Sequence, residues 1–127
     1  MNSISAVNGI ILFAHGSRDP LWHQPMQQVN ERIRQLDSQV QVRCAYLELT
    51  APDLPTCAGE LVRAGISSIT IIPMFLGVGR HAREDLPNLL AELQVAYPAV
   101  RFLLQPAIGE DARVLDLLAR IALDVGQ

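Results

Sequence analysis

Lysine is absent from this chain of 127 residues: all ten basic residues are arginines. That absence excludes Schiff-base chemistry, pyridoxal phosphate attachment and the lysine of a phosphate-binding P-loop. A basic excess is missing too. The formal net charge of −3 argues against a general nucleic-acid binder. Cysteine is scarce. Cys44 and Cys57 lie 13 positions apart with no C-x-x-C, so neither a zinc ribbon nor a redox pair is indicated, and both read as buried thiols. Long apolar runs are lacking: Ile10 to Ala14 is far too short for a membrane span or signal-peptide core, and no basic residue precedes Arg18. These features predict a cytoplasmic protein with neither a membrane nor nucleic acid as partner. No linker, repeat or low-complexity stretch interrupts the chain, so residues 1–127 are expected to form one domain.

What is present is half hydrophobic and 18% charged, a globular composition. Strand-like runs alternate with segments of helical period. Gly9 to Ala14 is a continuous apolar run, as in a strand buried on both faces. Asp19-Pro20 offers an N-cap and a proline at the first helical position, while Pro25 restarts or kinks the helix. Met26, Val29, Ile33 and Leu36 then carry it to about Leu36. Val40 to Leu49 reads as a second strand. Asp53 and Pro55 open a second helix, striped by Leu54, Cys57 and Leu61 and stopped at Gly65.

Ser68 to Met74 is a third strand whose Pro73 places that end at the sheet rim. A glycine-bearing loop from Phe75 to His81 leads to a helix from about Leu86 to Ala96, with Asp85 as its expected N-cap. Ala99 to Leu104 makes a fourth strand, and Val114, Leu117, Leu118 and Ile121 mark the last helix. Four βα units predict a single doubly wound α/β domain. Its four-stranded parallel sheet would have the order 2-1-3-4, with helices on both faces and a ligand crevice where strands one and three diverge.

The histidines make that crevice informative. His15 immediately follows the first strand, and His81 ends the loop after the third. The proposed order makes those strands neighbours, so both imidazoles belong to one crevice, with Glu48 at the end of the second strand on the same rim. Two imidazoles and a carboxylate are a ligand set for a divalent first-row transition metal. Taken singly, His15 reads equally as a loop residue capping backbone groups, and His81 as a residue of a helix start. His23, beside Trp22, reads as structural. Asp85 has a second reading, holding the far nitrogen of His81, but the cap is preferred.

At these residues the sequence resembles a known family. His15-Gly16-Ser17-Arg18-Asp19-Pro20 after an apolar strand resembles the opening motif of the sirohydrochlorin chelatases, the small relatives of protoporphyrin ferrochelatase. Pro73 to His81, followed by Asp85-Leu86-Pro87, is similar to their second motif, G-x-H-x-x-x-D-x-P after a proline-bearing strand end. Tyr46-Leu47-Glu48 matches their acidic position after the second strand. The resemblance implies a chelatase-like fold. It also implies insertion of cobalt, iron or nickel, as substrate and not as a resident cofactor, into sirohydrochlorin or a related acidic tetrapyrrole on the way to cobalamin or sirohaem. It assigns metal handling to His15 and His81. Many members of that family carry two such units per chain. For a chain with one, the resemblance implies a homodimer, because a single domain's wall leaves a large flat macrocycle mostly exposed.

Metal insertion exchanges two pyrrolic protons for one divalent cation. A neutral imidazole suits both halves of that exchange, since its ordinary pKa of about 6.5 lies near working pH. His15 and His81 are expected to present the metal and Glu48 to complete the ligands or take a proton. Arg18, Arg80 and Arg83 flank the motifs, and their guanidinium forks suit the substrate's carboxylates. Ser17 and Gly79 complete the expected substrate contacts; Gly77 and Gly79 either admit the flat ring or supply positive φ. Two rival readings are a non-enzymatic metal carrier with the same site and a phosphate-handling α/β enzyme with His15 or Ser17 as nucleophile. The latter lacks a glycine fingerprint after the first strand.

Overall fold

The computed structural model describes residues 8–124 and, within them, every side chain but that of His81. Strand β1 (Asn8–Ala14) leads through a 3-10 turn (Pro20–His23) into helix α1 (Gln24–Leu36). Strand β2 (Gln41–Tyr46), helix α2 (Leu54–Arg63) and strand β3 (Ser68–Pro73) follow. Helix α3 (Arg80–Ala96), strand β4 (Arg101–Leu104), a second 3-10 turn (Ile108–Glu110) and helix α4 (Ala112–Asp124) complete the chain. The strands form one sheet of order β2-β1-β3-β4, and every pairing is parallel. The expected doubly wound α/β order is therefore observed.

Local chemistry accounts for most boundaries. The Asp19 carboxylate accepts from the Leu21 N–H (2.9 Å) and starts the first 3-10 turn at Pro20. Asp53 accepts from the Thr56 N–H (2.9 Å) and caps α2; hydrogen bonding from the Thr56 side chain, and then from that N–H, holds its carboxyl below the ordinary 3.8. Gly65, with φ +90°, ends the α2 segment in the left-handed conformation that glycine tolerates.

The sheet has two apolar faces. Ile11, Phe13, Ile69, Ile71 and Phe102 pack beneath α2 and α3, against Leu54, Cys57, Leu61, Leu86 and Leu93. Leu12, Ala14 and Val42 pack beneath α1, against Met26. The period-two alternation along β1 thus feeds both layers. Cys57 is buried, as expected, and burial pushes its thiol up to about 12; Cys44 is only half-buried, short of the expected buried thiol, and burial raises it too.

Three expectations change. β2 stops at Tyr46, short of Leu49, because the Tyr46 N–H turns to the Pro52 carbonyl (2.9 Å) and Leu49 takes φ +70°. β4 likewise begins at Arg101, two residues later than Ala99. Helix α3 begins at Arg80 with Gly79 as its N-cap, so Asp85 lies inside the helix and caps nothing at its start. The helix extends this far because Ala82 and Leu86, one turn apart, are both buried in the α3 layer. That packing outweighs the cost of Pro87 within the helix, whose missing N–H and ring disturb the preceding turn.

Candidate active site

The carboxyl ends of β2, β1 and β3 finish in step. The Leu47 N–H donates to the Ala14 carbonyl (2.9 Å), the Glu48 N–H to the His15 carbonyl (3.0 Å) and the Met74 N–H to the Phe13 carbonyl (2.7 Å). The ladder therefore continues past the strands and delivers His15 and Glu48 to adjacent backbone positions on one rim. Gly16 makes the arrangement possible. Its φ is +101°, and a Cβ there would run into the Glu48 carbonyl, so only glycine fits this turn.

The His15 side chain is exposed, and its ring lies against Phe75, centroids 4.4 Å apart and planes inclined by 36°. Phe75 is 4% exposed and sits in the loop after β3. Its carbonyl accepts from the Gly109 N–H (2.9 Å), and a Cβ on Gly109 would strike the Leu76 backbone. The loop after β4 thus clamps the loop after β3, which supports the imidazole of the loop after β1. Motifs distant in sequence meet through this aromatic platform. Among the described residues no hydrogen-bonding partner engages either nitrogen of His15. The ring is supported by packing on Phe75 and is otherwise open to solvent.

The remaining expected residues divide. Glu48 is exposed on the rim. His81 is the second residue of α3, at the rim end of the β3–α3 connection, but its side chain lies outside the described residues. Asp85 is four residues further along α3, on the same helix face. Among the described residues no group of three or more His, Cys, Asp or Glu side chains gathers as a ligand set. Arg18, Arg80 and Arg83 are exposed; Arg80 Nε stands 3.4 Å from a Glu84 carboxylate oxygen, which offsets part of its charge. Arg83 borders a hollow of about 330 Å³ with Val78, Pro87 and Glu110. The Ser17 hydroxyl oxygen accepts from the Asp19 N–H (3.0 Å). Gly79 has φ −65° as the α3 N-cap and Gly77 has no positive φ, so neither supplies the left-handed turn considered for them.

The His23 ring lies against Tyr46, centroids 4.8 Å apart and planes inclined by 37°. Sequence reasoning missed Phe75, whose one signal was an aromatic residue directly after the Pro73-Met74 strand end. It also missed an apolar wall on the α1 side of the rim, a hollow of about 430 Å³ lined by Ala14, the residue before His15, and by Leu21, Trp22, Met26, Val29 and Met74. Leu21 is 67% exposed there and Trp22 41%, a pair of large apolar side chains left open to solvent at the crevice.

An open parallel sheet with a histidine and a carboxylate on its carboxyl rim, beside an apolar wall, defines a small α/β protein of the chelatase class. The chain belongs to the CbiX family, whose model matches residues 9–124. It is 26% identical over 110 residues to the sirohydrochlorin cobaltochelatase of Sulfolobus acidocaldarius, covering 87% of this chain and 85% of that one. The solved CbiX structure from Marinobacter aquaeolei VT8 superposes with a TM-score of 0.80 at 29% identity, covering 92% of this chain and 95% of the other. The sirohydrochlorin chelatase SirB from Bacillus subtilis subspecies spizizenii, in complex with cobalt, gives 0.78 at 26% identity. That match covers 93% of this chain and 50% of SirB, so this chain spans about half of the longer protein.

Proposed function

We propose that this protein is a metal chelatase that inserts a divalent cation into sirohydrochlorin or a closely related acidic tetrapyrrole, in the synthesis of cobalamin- or sirohaem-type cofactors. Cobalt is the favoured metal, with iron and nickel as the alternatives, and the working form is a cytoplasmic homodimer of single-domain chains. The observation that carries the reading is the His15 ring held on Phe75, one backbone hydrogen bond from Glu48, at the crevice between β1 and β3.

His15, joined by His81 from the first turn of α3, holds the metal and presents it to one face of the macrocycle. Insertion then forms metal–nitrogen bonds as two pyrrolic N–H bonds break, releasing two protons. Imidazole and the Glu48 carboxylate receive them. The macrocycle's flat apolar surface faces the Leu21 and Trp22 wall, and its peripheral carboxylates meet Arg18 and Arg83, with Arg80 shared with Glu84. Ser17 and Gly79 bring backbone and hydroxyl groups to the same edge.

The test mixes purified protein with sirohydrochlorin and Co²⁺ and follows the absorbance change against the protein-free rate. His15→Ala should remove most of the enhancement, and His23→Ala should leave most of it. Binding of Co²⁺ with no enhancement would make the protein a metal carrier. An essential His23 with a dispensable His15 would overturn the site.

A further inference from the structure

Leu49 stands in a backbone conformation that leucine disfavours. Its φ of +70° lies in the left-handed region, and among the described residues it is the one non-glycine there. A Cβ in that region crowds the following carbonyl, so glycine, asparagine and aspartate are the residues that enter it readily. The turn uses a left-handed residue because the chain must reverse. After the Glu48 N–H has reached the His15 carbonyl, the Pro52 carbonyl returns to the Tyr46 N–H (2.9 Å). Nothing in that reversal requires leucine. Glycine or asparagine would close the same turn with less strain, and the leucine side chain gives the fold little in return. It is 52% exposed and belongs to neither apolar layer of the sheet. Folding does not account for a residue that is both strained and exposed, and strain of this kind concentrates where a site uses it.

Its place in the fold says which site. Among the described residues outside α4, the large apolar side chains left exposed fall into two groups. Leu36 and Val95 lie in the last turns of α1 and α3, at the amino end of the sheet. Leu21, Trp22, Leu49 and Leu76 lie on the connections that follow β1, β2 and β3, all at the carboxyl end. Leu49 directly follows Glu48, and Leu76 directly follows Phe75, on which the His15 ring rests. Strand order puts β2 and β3 on either side of β1, each about 5 Å away. The loops that carry Leu49 and Leu76 therefore leave the sheet on opposite sides of the loop that carries His15. A lone cation has no use for an apolar border of this kind. A large flat ring does.

We propose that Leu49 is a substrate-seating residue: its side chain lies against the tetrapyrrole bound over His15 and Glu48 and holds the ring in place for the metal. The assignment rests on the chelatase reading above and adds to it a residue that touches the ring and not the cation. The closed turn fixes the Leu49 backbone before the ring arrives, so less ordering remains to be done on binding. That is what the left-handed conformation supplies. The contact is made to the bound ring whether or not the cation has entered it. It therefore contributes to affinity for the macrocycle and leaves the insertion step itself unchanged.

Leu49→Asn separates the side chain from the turn, because asparagine enters the left-handed region readily and keeps the length of the side chain while losing its apolar character. The variant should unfold in urea at a midpoint no lower than that of the wild type. Equilibrium dialysis against metal-free sirohydrochlorin should show binding weakened about tenfold, or about 1.4 kcal/mol, the scale of covering half a leucine side chain. KM for the macrocycle should rise with it, while kcat and the Kd for Co²⁺ stay within about twofold of wild type. Leu49→Met keeps the apolar surface and should restore ring binding to within about threefold. Leu36→Asn, at the far end of the sheet, should change none of these values. A Leu49→Asn protein that binds the ring as the wild type does overturns the assignment. So does one with a clearly lower midpoint, since the leucine would then serve the fold, and so does equal weakening in Leu49→Met. A wild type that does not bind metal-free sirohydrochlorin removes the substrate reading and the seat with it. A wild type that binds the ring, loses affinity on Leu49→Asn and inserts no metal supports the seat and counts against the chelatase reading alone.

Discussion

Substituting Gly16 by alanine perturbs the backbone that joins His15 to Glu48, and its cost follows from the geometry. An L-residue in the left-handed region costs about 1–2 kcal/mol, and φ at this position is +101°. The added methyl also runs into the Glu48 carbonyl, a small-to-large change in a closed site that adds about 1–3 kcal/mol. The total, about 2–5 kcal/mol, is a large share of the 5–15 kcal/mol or so that holds a domain folded. With a urea dependence of about 1.5 kcal/mol per molar, the midpoint at fixed protein concentration should fall by about 1–3 M. Relief of the overlap must separate Glu48 from His15, and a displacement of about 1 Å at a reacting centre costs roughly a hundredfold in rate. Cobalt insertion by the folded variant should therefore fall by about that factor. Gly77→Ala is the control: a Cβ there meets nothing within 4 Å and φ is not positive, so its midpoint and rate should stay near wild type. A Gly16→Ala midpoint within about 0.3 M of wild type, with unchanged insertion, would refute the claim that this turn sets the site; that interval corresponds to about 0.5 kcal/mol.

Phe75→Leu keeps an apolar side chain beneath His15 but removes the ring face. It should cost less than about 1.5 kcal/mol in urea while lowering insertion several-fold; an unchanged rate would show that the platform is dispensable. The native thiols should resist a disulfide reagent at pH 8, because burial raises both Cys44 and Cys57 above the ordinary 9.0, and both should react in denaturant. Rapid labelling of Cys57 in the native protein would contradict its environment. The unfolded chain ionises Cys57 near 9.0 and the folded chain near about 12. Its stabilising contribution is therefore complete below pH 9 and is lost as pH rises across that interval. Asp53→Ala removes the α2 cap and should cost about 1 kcal/mol at pH 7. Because the native carboxyl is held below 3.8, the wild-type advantage should persist above that pH and shrink as pH falls through the lower native value, as read by urea midpoints across acid pH.

The local features of this protein were written in its sequence. Asp19 and Asp53 capped where their neighbours indicated, α1 ended at Leu36, and the apolar runs became the parallel strands that bring the β1 and β3 ends together. Caps, proline positions and hydrophobic period act over one or two turns of chain, so adjacent residues suffice to determine them. His15 and Glu48 could be assigned to one rim for the same reason: strand order and right-handed crossover leave few alternatives. Contacts among remote segments were decided only by the tertiary structure. Burial of Ala82 and Leu86 drew α3 past Pro87 to Arg80 and made Asp85 an interior residue. The Gly109 clamp set Phe75 beneath His15. The stripe on α4 declared itself in sequence as a face to be buried, but period alone does not say against what, and the folded chain carries that face away from its own sheet.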